Sequence, residues 1–366
     1  MQRKPVLLHT LRILPLLIVA LILIARPAAS QGIDIILPTA NDGIFTGSDS
    51  TFYQRTATGR KEPWRGGCYG FTRNPRSSAG EMVYTRYHAG IDIAPLHRDA
   101  RGEPLDSIRS ISHGRVVHVS DRAGRSNYGK YVVIEHYWDG STYYSLYAHL
   151  SEIWVQPGRF VRQGDPIARM GYTGDGINRA RAHLHLEINL LINENFHAWY
   201  ASSYNDSNHH GIYNGINLVA VDIARLYMAL CDRPGLTMRD FLADEKPFFE
   251  VMLPLDQQPD LLRRYPWLLA SRPDALTRSW RVAFTGYGLP LRVDPSPDQV
   301  ESPHATIIEP TDISYRLLTK SMITGHGDTY SLSKSGERYI GLMTATEESR
   351  EGKDTTLSVA EGEEEY

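Results

Sequence analysis

Apolar and polar positions alternate with a period of two over much of the first half of the chain. Residues 116–120 alternate, residues 131–136 are β-branched and aromatic, and residues 141–147 follow the pair Asp139-Gly140. Such runs predict strands, and the Asp-Gly pair predicts a hairpin joining the last two. Gly164-Asp165 signals another turn before residues 166–170. From Met82 to Asn193 few helical periods occur, so an antiparallel all-β core is expected. Residues 31–81 are rich in Gly, Thr, Ser and Asn and predict loops with short strands. After Asn217 the period changes. Residues 218–230 carry apolar side chains at helical spacing and end before Pro234-Gly235. Thr237 is placed to cap a second helix. Further expectations are a short helix over 259–265, strands over 280–284 and 290–293, and a hairpin over 330–343 around Lys334-Ser335-Gly336-Glu337.

The two ends have a different texture. Arg3 and Lys4 precede an apolar run from Ile13 to Ala25, followed by Arg26-Pro27-Ala28-Ala29-Ser30. This pattern predicts a secretory signal cut after Ser30, because the run is short for a membrane span. The first cysteine is Cys68, too far from the run for a lipid-modified N-terminus. Loss of Arg3, Lys4, Arg12 and Arg26 takes the formal charge from −3 to −7. A mildly acidic exported protein is not expected to bind nucleic acid, nor to stay in a membrane. The expected organisation is a signal peptide (1–30), a β core (31–196), a polar connector (197–216), a smaller α+β region of unassigned role (217–343) and an acidic disordered tail (344–366). Cys68 and Cys231 either pair in the oxidising cell envelope or remain buried free thiols.

The chemistry concentrates in two strings, His88-Ala89-Gly90-Ile91-Asp92 and His183-Leu184-His185-Leu186-Glu187. Residues two or four apart in a strand share a face, so His88 can join Asp92 and His183 can join His185. Two imidazoles and one carboxylate are a common donor set for catalytic zinc, with a fourth position left to water. A third string, Ser145-Leu146-Tyr147-Ala148-His149-Leu150, adds another histidine at a strand end. The helical zinc-protease signature H-E-x-x-H is absent, and so is G-x-S-x-G. Glu187 shares a strand face with His185. It either orients a ligand ring or faces solvent, and exposure is expected. Tyr84, Tyr87 and Tyr147 are expected to pack, and the pair His209-His210 to sit in a solvent-facing loop.

In order and spacing, His88-x-x-x-Asp92, Tyr147-Ala148-His149-Leu150 and His183-Leu184-His185 resemble the lysostaphin-type (LytM-like) zinc endopeptidases. The intervening Gly114-Arg115-Val116-Val117, the stretch 128–136, and Val155-Gln156-Pro157-Gly158 through Ile167 are similar too, over about residues 36–193. The resemblance implies a mainly β fold, an antiparallel core of the duplicated hybrid motif kind. It implies zinc (Zn2+) held by His88, Asp92 and His185, catalytic roles for His149 and His183, and peptidoglycan peptides as substrate. The chain departs from the pattern at Arg181-Ala182, where Gly-Pro is usual, in the long basic stretch 173–180, and in an insert over 96–110. Three functions are compatible: a wall endopeptidase, an inactive wall-binding regulator of another hydrolase, and a protease of glycine-rich proteins. The five intact residues favour an enzyme.

Overall fold

The computed structural model describes residues 32–56 and 61–346. The signal-peptide segment and nearly all of the acidic tail lie outside the described residues. Strands in chain order are β1 (Gly70–Ser78), β2 (Glu81–His88), β3 (Ile91–Ile93), β4 (Ser107–Arg109), β5 (Gly114–Ser120), β6 (Tyr131–Trp138), β7 (Ser141–Ala148), β8 (Leu150–Ile153), β9 (Phe160–Val161), β10 (Pro166–Met170), β11 (Leu184–Leu191) and β12 (Leu218–Ala220). All strand pairs in this half are antiparallel, as the alternating pattern predicts.

The principal sheet runs β12-β11-β7-β6-β5-β9, and β3 pairs with the other end of β11. A three-stranded sheet, β4-β10-β8, lies beside it, and β1-β2 forms a ribbon. The β6–β7 hairpin turns at Asp139 and Gly140, both with positive φ, as a two-residue turn requires. On one face of β11, Leu184, Leu186 and Ile188 join the main core. On the other sheet face, Tyr131, Val133, Tyr144 and Leu146 form a second apolar layer, against which Ile212 and Tyr213 of the connector pack. The connector thus clads the sheet; its first part is a helix, Phe196–Ser203. His209 is exposed, but His210 is buried and its Nδ1 pairs with the Tyr131 hydroxyl at 2.8 Å, contrary to the expected solvent-facing pair.

Beyond residue 217 the sequence pattern holds in part. Residues 218–220 add the edge strand β12, and the helix begins later, at Ile223–Asp232, because the Asp222 side chain caps it. Thr237 caps Met238–Ala243 as expected, accepting from Asp240 N. The segment over 259–265 is a single tight 3₁₀ turn, Asp260–Arg263. Strands β13 (Phe249–Pro254), β14 (Ser279–Phe284), β15 (Pro290–Ser296) and β16 (His304–Ile307) form an antiparallel sheet in the order β15-β14-β13-β16. The terminal hairpin lies earlier than expected, between β17 (Ile323–His326) and β18 (Thr329–Leu332). Residues expected as its turn instead start a helix, Lys334–Thr344, since the Ser333 side chain accepts from the amides of Ser335 and Gly336.

The two sheets share one contiguous apolar core. Polar ties reinforce it: Leu191 N donates to the Tyr265 hydroxyl at 2.8 Å, and Asn193 Nδ2 donates to Leu342 O at 2.7 Å. Cys68 and Cys231 are free, and Cys231 is exposed. No described helix is long and apolar enough to cross a membrane.

Candidate metal centre

Register builds the centre. On one side of β11, β3 sets Asp92 directly opposite His185; on the other, β7 sets Ala148 opposite the same residue, with His149 next in line. His88 ends β2, and the turn through Gly90 carries the chain back into β3. A Cβ at Gly90 would stand 2.1 Å from the Leu186 carbonyl oxygen, so this close approach needs glycine. His149 occupies the corner between β7 and β8 with φ of +62°, a left-handed conformation that strains a residue bearing a Cβ. The His149 and Leu150 amides pin the corner to the carbonyls of Tyr128 and Lys130.

His88, Asp92 and His185 are buried, and their donor atoms lie within 4.8 Å of one another. Asp92 Oδ1 is 2.9 Å from both His88 Nε2 and His185 Nδ1, which are 3.0 Å apart. His183 Nε2 is 3.4 Å from the same oxygen, and the His149 and His183 ring centroids are 4.7 Å apart. All five predicted residues therefore meet at one point.

Hydrogen bonds fix which nitrogen of each ring carries the proton. Carbonyl oxygens only accept, so Nδ1 must donate in His88 (to Cys68 O, 2.8 Å), His149 (to Thr173 O, 2.9 Å) and His183 (to Arg181 O, 2.7 Å). His185 is reversed: its Nε2 bonds Glu187 Oε1 at 2.8 Å and frees Nδ1. Lone pairs from His88, His185 and Asp92 thus converge where no donor answers them, and a cation fits that need. With none bound, a proton meets it. Burial alone would lower His185, but hydrogen bonds from its ring to the carboxylates of Asp92 and Glu187 raise it to about 9, so a metal must displace that proton. Burial would raise the Asp92 carboxyl; His88, His183 and His185 hold it well below the usual range. Burial keeps His88 and His149 neutral by lowering both.

Glu187 is 1 % exposed, so the expected solvent exposure is wrong. Its Oε1 also accepts from the Tyr128 hydroxyl at 2.8 Å, and Oε2 accepts from Asn189 Nδ2 at 2.9 Å. Those bonds make burial of the charge tolerable and lock the ring of His185. Arg73 Nη2 donates to Asp92 Oδ2 at 2.5 Å while its Nε holds Gly66 O. No spacing in the sequence marks Arg73 or Tyr128 for these roles. Tyr147 is a packing residue, its hydroxyl taken by Ile111 N and Ser145 Oγ. Tyr87 stacks on Tyr287 from the C-terminal half.

The centre opens into a cavity of about 590 Å³ whose rim includes Asn74, Asp175, Ile177 and Arg181. The insert over 96–110 braces that rim: Arg98 donates to Arg179 O, and Glu103 pairs with Arg179.

Residues 86–196 match the model of Peptidase family M23. A "Lipoprotein NlpD/LppB homolog" of Pseudomonas aeruginosa is 37% identical over 99 residues, covering 27% of this chain and 28% of that protein. An "Uncharacterized metalloprotease" of Haemophilus influenzae is 32% identical over 105 residues, covering 29% and 19%. The chain thus matches under a third of the length of these curated relatives. A solved zinc-containing peptidase from Vibrio cholerae is 29% identical, with 32% of this chain and 33% of that chain covered and a TM-score of 0.22. The matched segment contains His88, Asp92, His149, His183 and His185, so the part of the chain that carries these residues is similar to peptidase family M23, the lysostaphin-like family its motifs resemble.

Proposed function

We propose that the chain is an exported zinc-dependent endopeptidase that hydrolyses peptide bonds of peptidoglycan in the cell envelope. The observation that carries this reading is the convergence of His88 Nε2, Asp92 Oδ1 and His185 Nδ1 beside two further imidazoles, those of His149 and His183. His88 Nε2, Asp92 Oδ1 and His185 Nδ1 would hold the metal, and two nitrogens with one carboxylate oxygen suit zinc. Bound there, zinc would acidify a water molecule and polarise the scissile carbonyl.

The chain's own residues supply the rest. His149 and His183 each donate from Nδ1 to a backbone carbonyl, so each presents a basic Nε2 to the cavity. Burial keeps His149 unprotonated, ready to take a proton from the attacking water. A protonated imidazole at either position can stabilise the developing oxyanion or return the proton to the leaving amine. Glu187 and Arg73 hold His185 and Asp92 in place, so the donor set need not reorganise during the reaction.

The test is mass spectrometry of fragments released from purified cell wall by the mature protein with zinc. New peptide termini that need zinc and all five residues are expected. Release of none, from walls of several cross-link types, would overturn the reading. A glycine-rich protein digested in parallel distinguishes the protein-cutting alternative.

A further inference from the structure

The metal-centre cavity continues past the metal residues into a second one of about 840 Å³, and Arg73, Arg86, His88, Tyr128 and His185 line both. The lining of the second cavity includes Asp206, His210 and Ile216, which follow the family-matched stretch. This half of the groove is therefore shaped in part by residues outside that stretch.

Its charges are unevenly answered. Arg73 and Arg86 face each other directly across the β1–β2 ribbon. Like charges so placed destabilise a strand pair. Asp92 answers Arg73. Among the described residues, the Arg86 guanidinium has no hydrogen-bond or ion-pair partner, and neither has that of Arg125, which lines the same cavity. Of the carboxylates in the wall, Glu187 is already committed to His185, Tyr128 and Asn189, which leaves the exposed Asp206. Arg86 precedes His88 by two residues on the same strand face, so it stands about 7 Å along the strand from the centre.

We propose that this second cavity is a subsite for a free carboxylate of the substrate peptide, bound by Arg86 and Arg125. A guanidinium matches a carboxylate with two parallel N–H bonds and keeps its charge at any working pH. An anion there also answers Arg86, which the ribbon leaves without a partner among the described residues. A peptide anchored in this cavity reaches the metal residues through the shared wall. The subsite would select acidic stem peptides over neutral glycine runs. For the bond that is cut, the proposal rests on the peptidase reading; for binding it does not.

The experiment uses two synthetic peptides of wall-stem sequence, one with its carboxylates free and one fully amidated. Equilibrium binding is measured by fluorescence anisotropy to zinc-loaded full-length protein in a His149→Ala background, and cleavage is measured with otherwise native protein. Loss of both guanidiniums in Arg86→Gln/Arg125→Gln should weaken the free-acid peptide about 10-fold or more, raise KM with little change in kcat, and leave the amidated peptide unaffected. Arg86→Lys should recover part of the loss. Zinc content must equal that of the parent, which separates this effect from damage at the centre. Equal affinity of the parent for both peptides, equal weakening of both by the double variant, or binding of neither, would overturn the subsite. Discriminating binding without cleavage would keep the subsite and overturn the peptidase reading.

Discussion

The sheet around β11 and the sheet β15-β14-β13-β16 are both antiparallel, both buried and joined in one core, yet they bury different things. Around β11 the buried set includes His88, Asp92, His149, His183, His185 and Glu187. In the second sheet the buried polar strand residues are Ser279 and Ser296, beside Val251, Val282, Phe249 and Phe284. Burying an ionisable group costs several kcal/mol unless it is paired. The first sheet accepts that cost, and its hydrogen-bond network limits it by giving every ring and carboxylate a partner. Among the described residues, the strands of the second bury no such cluster. One region holds a reactive arrangement that is intrinsically unstable; the other helps keep it folded.

The sharpest way to break this comparison is to remove a ligand. His185→Ala should abolish most metal binding and with it all measurable turnover, while the fold survives; metal analysis of the purified variant checks this, and full retention would refute the ligand set. Next in size, His149→Ala and His183→Ala should keep the metal but lose about 10²–10⁴-fold in turnover. Near-normal rates in both would place catalysis elsewhere.

The opposite signature is expected from the second sheet. Phe249 is buried and stacked on Phe284, with ring centroids 5.1 Å apart. Phe249→Ala should cost about 3–5 kcal/mol in denaturant unfolding and leave activity per folded molecule nearly unchanged. A large fall in activity at full foldedness would show that the sheets are coupled in function as well as in packing.

A smaller effect sharpens the account of the network. Glu187→Gln keeps the shape but weakens the acceptor for His185 Nε2–H, so metal affinity should fall about 10–100-fold. Competition with a calibrated chelator measures it. The smallest expected effect concerns pH. His136 is buried, bonded to His113 O and Ser145 Oγ, and burial lowers it to about 4. The unfolded chain then binds more protons than the folded one between about pH 6.5 and 4. Stability should fall by about 2 kcal/mol from pH 7 to pH 5 on this account. In His136→Gln that part of the slope should vanish.

Much of the first sheet could be read from the sequence. Period-two alternation and the Asp139-Gly140 turn mark strands because those signals are local, and the five site residues lie in short strings whose strand geometry is nearly fixed. What could not be read depends on contacts distant in sequence. Glu187 is buried because Tyr128 and Asn189 satisfy it, and no rule about strand faces supplies Tyr128. His210 is buried because its segment folds back onto Tyr131. The Lys334-Ser335-Gly336 stretch has turn composition, yet Ser333 makes it a helix start. In the C-terminal half the alternation was legible over 280–284 and 290–293, but β13 and β16, and the order in which they pair, were not.

The left-handed backbone at His149 has a consequence for how this protein changes under selection. Glycine adopts that conformation without strain, while the imidazole requires a Cβ there. His149→Gly is therefore the substitution that relaxes the corner as it deletes the ring. Any screen that rewards thermal tolerance alone should favour glycine at this position, and the variants it enriches would be robust and inert. On the proposed catalytic role of His149, the corner would tie durability to inactivity at a single residue.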